Sequence, residues 1–297
     1  MGRRKLGGLV VVFVMFLVFG CKNNPTGNDI SLDEEAIQDY ISNDLDFGEY
    51  FTFDEYYGEE DTISPEVQLR TITGPHTWYR EPQDINRDIY INVVNDSAFV
   101  SFWNEVYGVF HVLERDASAS PVTLIDHQKD LIDESSHWAI FKRYDGVSNC
   151  RGWRLESLTG AWGEGFEIAP GDCLFVRIDS IRINCESYED TLFTTPFVFF
   201  GREELLTFGS QEAVTLTLYA RSIETPSAYS YLHANSLGHW RRWRLEEIET
   251  GVWQGFWVTP LIPGIRVIAF DILAKRTIDE EEWPYLSNFW LFPYMIE

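Results

Sequence analysis

Asp126, His127, Asp133, Ser135, Ser136 and His137 are the one place in this 297-residue sequence where acid-base groups and hydroxyls gather. A carboxylate that orients an imidazole, which in turn takes a serine proton, makes a nucleophile. No surrounding pattern supports that chemistry. Gly-x-Ser-x-Gly, His-Glu-x-x-His, a phosphate loop ending in Lys-Ser or Lys-Thr and a dinucleotide fingerprint are all missing. The segment is polar and has no counterpart in the second half of the chain, so we expect an exposed loop insertion and assign no catalytic residue. Carboxylate pairs discriminate nothing among 47 acidic residues.

The tryptophans and cysteines offer other chemistry. Aromatic rings on a β-sandwich can stack on sugars while neighbouring Asp, Asn and Arg bind the hydroxyls. Trp153-Arg-Leu-Glu-Ser-Leu-Thr-Gly-Ala-Trp162 is repeated as Trp243-Arg-Leu-Glu-Glu-Ile-Glu-Thr-Gly-Val-Trp253. Residues at matched positions share packing constraints, so Trp153, Trp243, Trp162 and Trp253 are expected in the core. Trp240 and Trp257 align with Cys150 and Glu167, have no aromatic counterpart, and are the candidates for exposure and ligand binding. Pairing of the strand that starts at Trp153 with the one that ends near Ile183 would bring Cys150 near Cys185, the candidate disulfide. Cys173 is too far along the same strand to reach Cys185. The alternative is three free thiols. Without Cys-x-x-Cys or closely spaced His, no metal is expected, and no cofactor.

The elements that must position these residues read as strands. Short runs rich in Val, Ile, Phe, Tyr and Trp with period two, such as Ile89 to Val94, Ala98 to Trp103 and Val109 to Leu113, end at Asn, Asp, Gly or Pro. The repeat extends beyond its Trp-Arg-Leu-Glu centre. Leu174, Val176 and Ile178 match Ile265, Val267 and Ala269, and both copies then shift phase, as a shared bulge would make them do. We therefore expect an all-β protein, with two tandem, related antiparallel β-sandwich repeats after an acidic tether. The division is signal 1–20, tether 21–67, first repeat 68–201 and second repeat 202–297. An immunoglobulin-like plan is the first choice. A fused sandwich whose copies share a sheet is the alternative.

A formal charge of −24 repels nucleic acid and anionic membranes alike, which excludes a nucleic-acid role. From Asn23 to Leu69 there is no Lys or Arg, and the acidic run reads as a solvated spacer. Within it, Ser31 to Glu34 match the pattern of a capping box and Ile37, Tyr40, Ile41 and Leu45 would share one helical face, so a short amphipathic helix is expected there. Ahead of it, Arg3-Arg4-Lys5 and an apolar run too short for a membrane span end at Gly20-Cys21. Val18-Phe19-Gly20-Cys21 resembles a bacterial lipobox. That resemblance implies cleavage before Cys21 and a diacylglycerol on its thiol, hence a lipoprotein held to a membrane of the bacterial cell envelope, facing periplasm or cell surface. The expected function is a binding or structural module for an unknown envelope protein or glycan. Glycan binding through exposed aromatics is the main alternative, and an envelope hydrolase comes third.

Overall fold

The computed structural model describes residues 27–43, 51, 76–116, 123–147, 149–166, 176–201, 203–222, 228–236 and 239–297. The signal segment, Cys21, Cys173, Leu45 and most of the aromatic stretch after it lie outside these. Helix α1 is Gly27–Asn43, and the strands follow as β1 His76–Val94, β2 Ser97–Asp116, β3 Thr123–Arg143, β4 Trp153–Thr159, β5 Ala161–Phe166, β6 Val176–Asn184, β7 Thr191–Phe193 and β8 Phe199–Gly201. Then come β9 Leu206–Phe208, β10 Ala213–Ser222, β11 Ala228–Ser236, β12 His239–Arg244, β13 Glu246–Glu249, β14 Val252–Val258, β15 Gly264–Ala274, helix α2 Lys275–Asp279 and β16 Leu286–Ile296. Neither helix is long and apolar enough to cross a membrane.

The protein is all-β, but its two halves do not build separate sandwiches. A large sheet runs β1-β2-β3-β5-β16-β15-β11-β12, and a small one runs β13-β14-β10-β6-β7. Both therefore take strands from both halves. Two strand runs expected separately, Ala98 to Trp103 and Val109 to Leu113, are parts of the single strand β2. The chain turns back between β1 and β2 at Asn95, whose φ of 56° suits its side chain better than most.

The large sheet curls until its ends meet. Arg242 on β12 donates to the Trp78 carbonyl on β1 at 3.0 Å and lies 3.8 Å from the centre of that indole ring. The concave side is a closed, partly polar core. Gly163 and Gly165 face into it because no Cβ fits there: one would strike the Phe289 ring, the other the Asp133 carboxylate and the Tyr285 ring. The convex side of β15 and β16 is covered by the small sheet, where Phe193 packs on Phe292 and Trp257 on Tyr294. Asn288 ties the layers, its side-chain carbonyl accepting from the Ile178 amide at 2.8 Å.

At the centre of the curled sheet lies a buried ionic cluster. Arg80 donates to Asp271 at 2.8 Å and to the Tyr285 hydroxyl at 2.8 Å, with Asp133 3.7 Å away. Tyr285 and Ser287 share a 2.8 Å hydrogen bond, and His233 approaches Asp271 at 3.4 Å. Burial alone would push the Asp271 carboxyl up, but Arg80 and the His233 hydrogen bond outweigh it and hold it below the ordinary carboxylate range. Burial pushes the His233 imidazole down and the Tyr285 phenol well up.

The acidic N-terminal stretch is not wholly a solvated spacer. Ile37 and Ile41 of α1 are buried, and Tyr40 meets the Phe141 ring edge-on at 5.4 Å. Asp33, 3 % exposed, binds Arg143, Arg151 and the Trp153 indole, the last two at 3.1 and 3.3 Å. Asp33→Ala is expected to undock α1, because the arginines lose their shared carboxylate. Amide hydrogen exchange should rise across 30–43 and not in β15 or β16, and unchanged protection of α1 would refute this anchoring role.

The duplicated motif folds in two ways. In the first copy, β4 and β5 both pair with β3, so 153–166 runs along it as one interrupted strand. In the second, Gly251 at φ 79° closes a tight hairpin between β13 and β14. The expected bulge occurs in β6, where Ile178 and Ser180 oppose consecutive residues of β10. β15 pairs without a slip on either side, and its phase change reflects burial on both faces from Val267 to Ala274.

Candidate ligand-binding face

The convex face of β1, β2 and β3 is built by strict alternation along β2. Ala98, Val100, Phe102, Asn104 and Val106 point into the core, so Phe99, Ser101, Trp103, Glu105 and Tyr107 point out. Phe99, Trp103 and Tyr107 are 43, 40 and 39 % exposed, and Tyr90 on β1 is 70 % exposed. From Phe99 to Tyr107 the strand covers about 26 Å. Asp88 lies opposite Trp103, Ser101 opposite Tyr90 and Asn92 opposite Phe99, so polar groups stand beside every ring.

Across the strands, Glu105 pairs with Glu134 and Glu134 with Glu164, one carboxylate from each of β2, β3 and β5. Like charges directly opposed disfavour ionisation. Burial first, then Glu105, pushes the Glu134 carboxyl up, and burial first, then Glu134, does the same to Glu164, with Arg177 opposing. Glu105 is also the main reason the Tyr107 phenol is raised. Such a face accepts hydrogen bonds from hydroxyls, stacks on apolar ring faces and repels anions. Among the described residues no group of three or more His, Cys, Asp or Glu side chains is placed to hold a metal ion.

The acid-base cluster of 126–137 is neither a loop nor one site. It lies on β3, and alternation splits it. Asp133, Ser135 and His137 point into the core, while Ser136 lies opposite Trp103 and Trp162 on the outer face. His137 stacks on Phe102 at 4.2 Å, and burial pushes it down to about 3, so it is a neutral ring at ordinary pH. Ser135 accepts from Asn104 at 3.3 Å. Asp126 binds His111, whose other ring nitrogen is 2.9 Å from Glu81. His127 lies between Glu114 and Glu281 at a small cleft of about 140 Å³. There Lys129 is held by the backbone carbonyls of Glu280, Glu281 and Trp283.

Trp257 does not have the exposure expected of it. Phe256 and Val258 turn outward on β14, so Trp257 turns inward and is 2 % exposed, edge-on to Phe208 at 5.7 Å and to Tyr294 at 5.4 Å. Lack of an aromatic counterpart was a poor guide, because alternation and not repeat alignment decides the face. Trp240 belongs to β12, opposite Asn235, and its side chain lies outside the described residues. Trp153 and Trp253 are buried, while Trp162 and Trp243 are half-buried against the core. Cys150 and Cys185 are free thiols. The pairing that would have joined them does not form: β4 pairs with β3 and β8, whereas β6 belongs to the small sheet beside β10. Burial, with Glu212 adding to it, pushes the Cys185 thiol up to about 11.

Sequence reasoning missed Tyr90, Phe99, Trp103 and Tyr107. The signal was available in β2, where large apolar residues occupy both phases of the alternation although only one phase can face a single core. Compared with protein-family models, curated proteins and solved structures, the chain matches none.

Proposed function

We propose that the chain is an exported, lipid-anchored binding module of the bacterial cell envelope, and that its ligand is a neutral glycan lying along the outer face of β1 to β3. The supporting observation is the line of exposed rings Phe99, Trp103 and Tyr107 with Tyr90 beside it, interleaved with Asp88, Asn92, Ser101 and Glu105. Rings supply stacking, and carboxylates and amides take the hydroxyls. Three glutamates in register disfavour phosphate- or carboxylate-bearing polymers, so the ligand class is uncharged. The repeated Trp-Arg-Leu-Glu motif is part of this reading, as a duplicated unit whose copies were fused into shared sheets. The resemblance of Val18-Phe19-Gly20-Cys21 to a lipobox supports the anchor.

Trp103→Ala should weaken binding of a neutral envelope polysaccharide about tenfold, the 1–2 kcal/mol common for an interface aromatic. Calorimetric titration of the intact chain with neutral and anionic polysaccharides checks it. Equal affinity for both classes, or a Trp103→Ala variant that binds as the parent does, would sink the glycan reading. A co-purifying envelope protein released by the same substitution would assign the face to a protein instead.

A further inference from the structure

We propose that one end of the molecule rests on a lipid bilayer, with the outward residues at the end of β14 and the following turn, 259–263, as the contact. Phe256, Val258, Leu261 and Ile262 are 75, 57, 60 and 55 % exposed, the largest run of exposed apolar side chains close together in the sequence among the described residues. From Val252 to Gly264 no residue is charged, in a chain where 24 % are. Exposed apolar residues in a group mark a contact surface, as single ones do not.

The turn is held out rigidly. The Thr259 hydroxyl donates to the Gly209 carbonyl at 2.6 Å and accepts from the Glu212 amide at 2.8 Å, and the Leu261 carbonyl accepts from Ser210 at 3.0 Å. The Glu212 carboxylate is occupied by the Gly209 amide and by Ser187. The cation beside the tip is Arg266, which donates to the Ile262 carbonyl at 3.3 Å and suits a phosphate-bearing headgroup.

The occupant follows from where the chain leads. Antiparallel register from β15 through β16, β5 and β3 places Gly264 at the same end of the large sheet as Arg143. That is the end on which α1 docks through Asp33 and Tyr40. α1 begins at Gly27, and the residues from Cys21 to Gly27 can span only about 20 Å fully extended. On the lipoprotein reading, a diacylglycerol on Cys21 would keep this end of the body against the bilayer, where an uncharged apolar tip offsets the repulsion expected between so acidic a protein and anionic lipid.

The test uses the full chain, purified from bacterial membranes and placed in phosphatidylethanolamine and phosphatidylglycerol vesicles, with a photoactivatable benzophenone residue at position 261 or, as a control, at position 90. The expected result is a phospholipid adduct at 261, none above background at 90, and loss of the 261 adduct with Phe256→Asp and Ile262→Asp. These residues are exposed, so the substitutions leave the fold intact. The mass of the N-terminal peptide separately reports whether Cys21 carries lipid. A lipid-bearing Cys21 without an adduct at 261 overturns the contact and leaves the anchor standing. An adduct at 261 on a chain with unmodified Cys21 does the reverse, and failure of both measurements overturns both.

Discussion

Replacing Arg80 with methionine is expected to destabilise the fold by about 3–5 kcal/mol, the largest effect of any single substitution considered for this molecule. Methionine keeps much of the stem that packs between Trp78 and Tyr285, so lost volume is not the main term. The loss comes from Asp271 and Asp133, both fully buried, which would remain without the guanidinium that neutralises them. Two signatures separate this from a packing defect. In the parent, the Asp271 carboxyl lies below its ordinary value, so its contribution is complete above about pH 4 and is lost as pH falls through the folded value. Without Arg80, burial dominates and raises the same group above its unfolded value. Its ionisation then lowers stability as pH rises above about 4, a range over which the parent's Asp271 contributes no slope. Adding Asp271→Asn to Arg80→Met should recover part of the loss, because the pair shares one interaction and the two changes are not additive. Guanidinium denaturation of the four proteins at pH 5 and pH 7 checks all of this. Strictly additive losses with no change in pH slope would mean the cluster is not held by charge.

Replacing His137 with phenylalanine should make the protein more resistant to acid. The imidazole is fully buried and neutral, with a folded value of about 3 against about 6.5 when unfolded. Below pH 6.5 the unfolded chain takes up a proton that the folded one does not. Stability therefore is complete above 6.5 and falls by about 1.4 kcal/mol per pH unit down to the folded value. Phenylalanine preserves the stack with Phe102 and carries no proton, so this loss disappears. Between pH 7 and pH 4.5 the variant should gain roughly 2–3 kcal/mol relative to the parent. The carboxylates titrate in both proteins, and the difference between two denaturant series isolates the histidine. A constant difference across that range would show that position 137 takes up its proton while folded.

Local pattern determined a good deal. Period-two runs made the chain all-β. The matched positions Trp153/Trp243 and Trp162/Trp253 marked core residues, of which Trp153 and Trp253 are buried and Trp162 and Trp243 half-buried, and the phase change after Ile178 marked a bulge. The spacing of Ile37, Tyr40 and Ile41 marked a helical face, and that face is the one that docks. Each of these depends on which side chains share a side of one element, a property fixed by the backbone repeat and readable over a few residues.

Only the tertiary structure decided which side of each element is covered, and by what. Thr159-Gly160 interrupts a strand that continues beside β3, whereas Thr250-Gly251 reverses the chain, because β3 is available to pair along the whole of the first copy and β14 folds back on β13 in the second. One extra residue between the tryptophans of the second copy leaves room for that turn. Asp133 and His137 read as polar loop residues until the curl of the large sheet encloses them, and Trp257 read as exposed until Phe208 and Tyr294 arrive from distant segments. Likewise, Phe99, Trp103 and Tyr107 resemble core residues in sequence and form an outer surface because the small sheet packs on β15 and β16 and leaves β1 and β2 uncovered. Strand pairing between segments far apart is chosen by the free energy of the whole assembly, and periodicity within a strand carries no record of its neighbour.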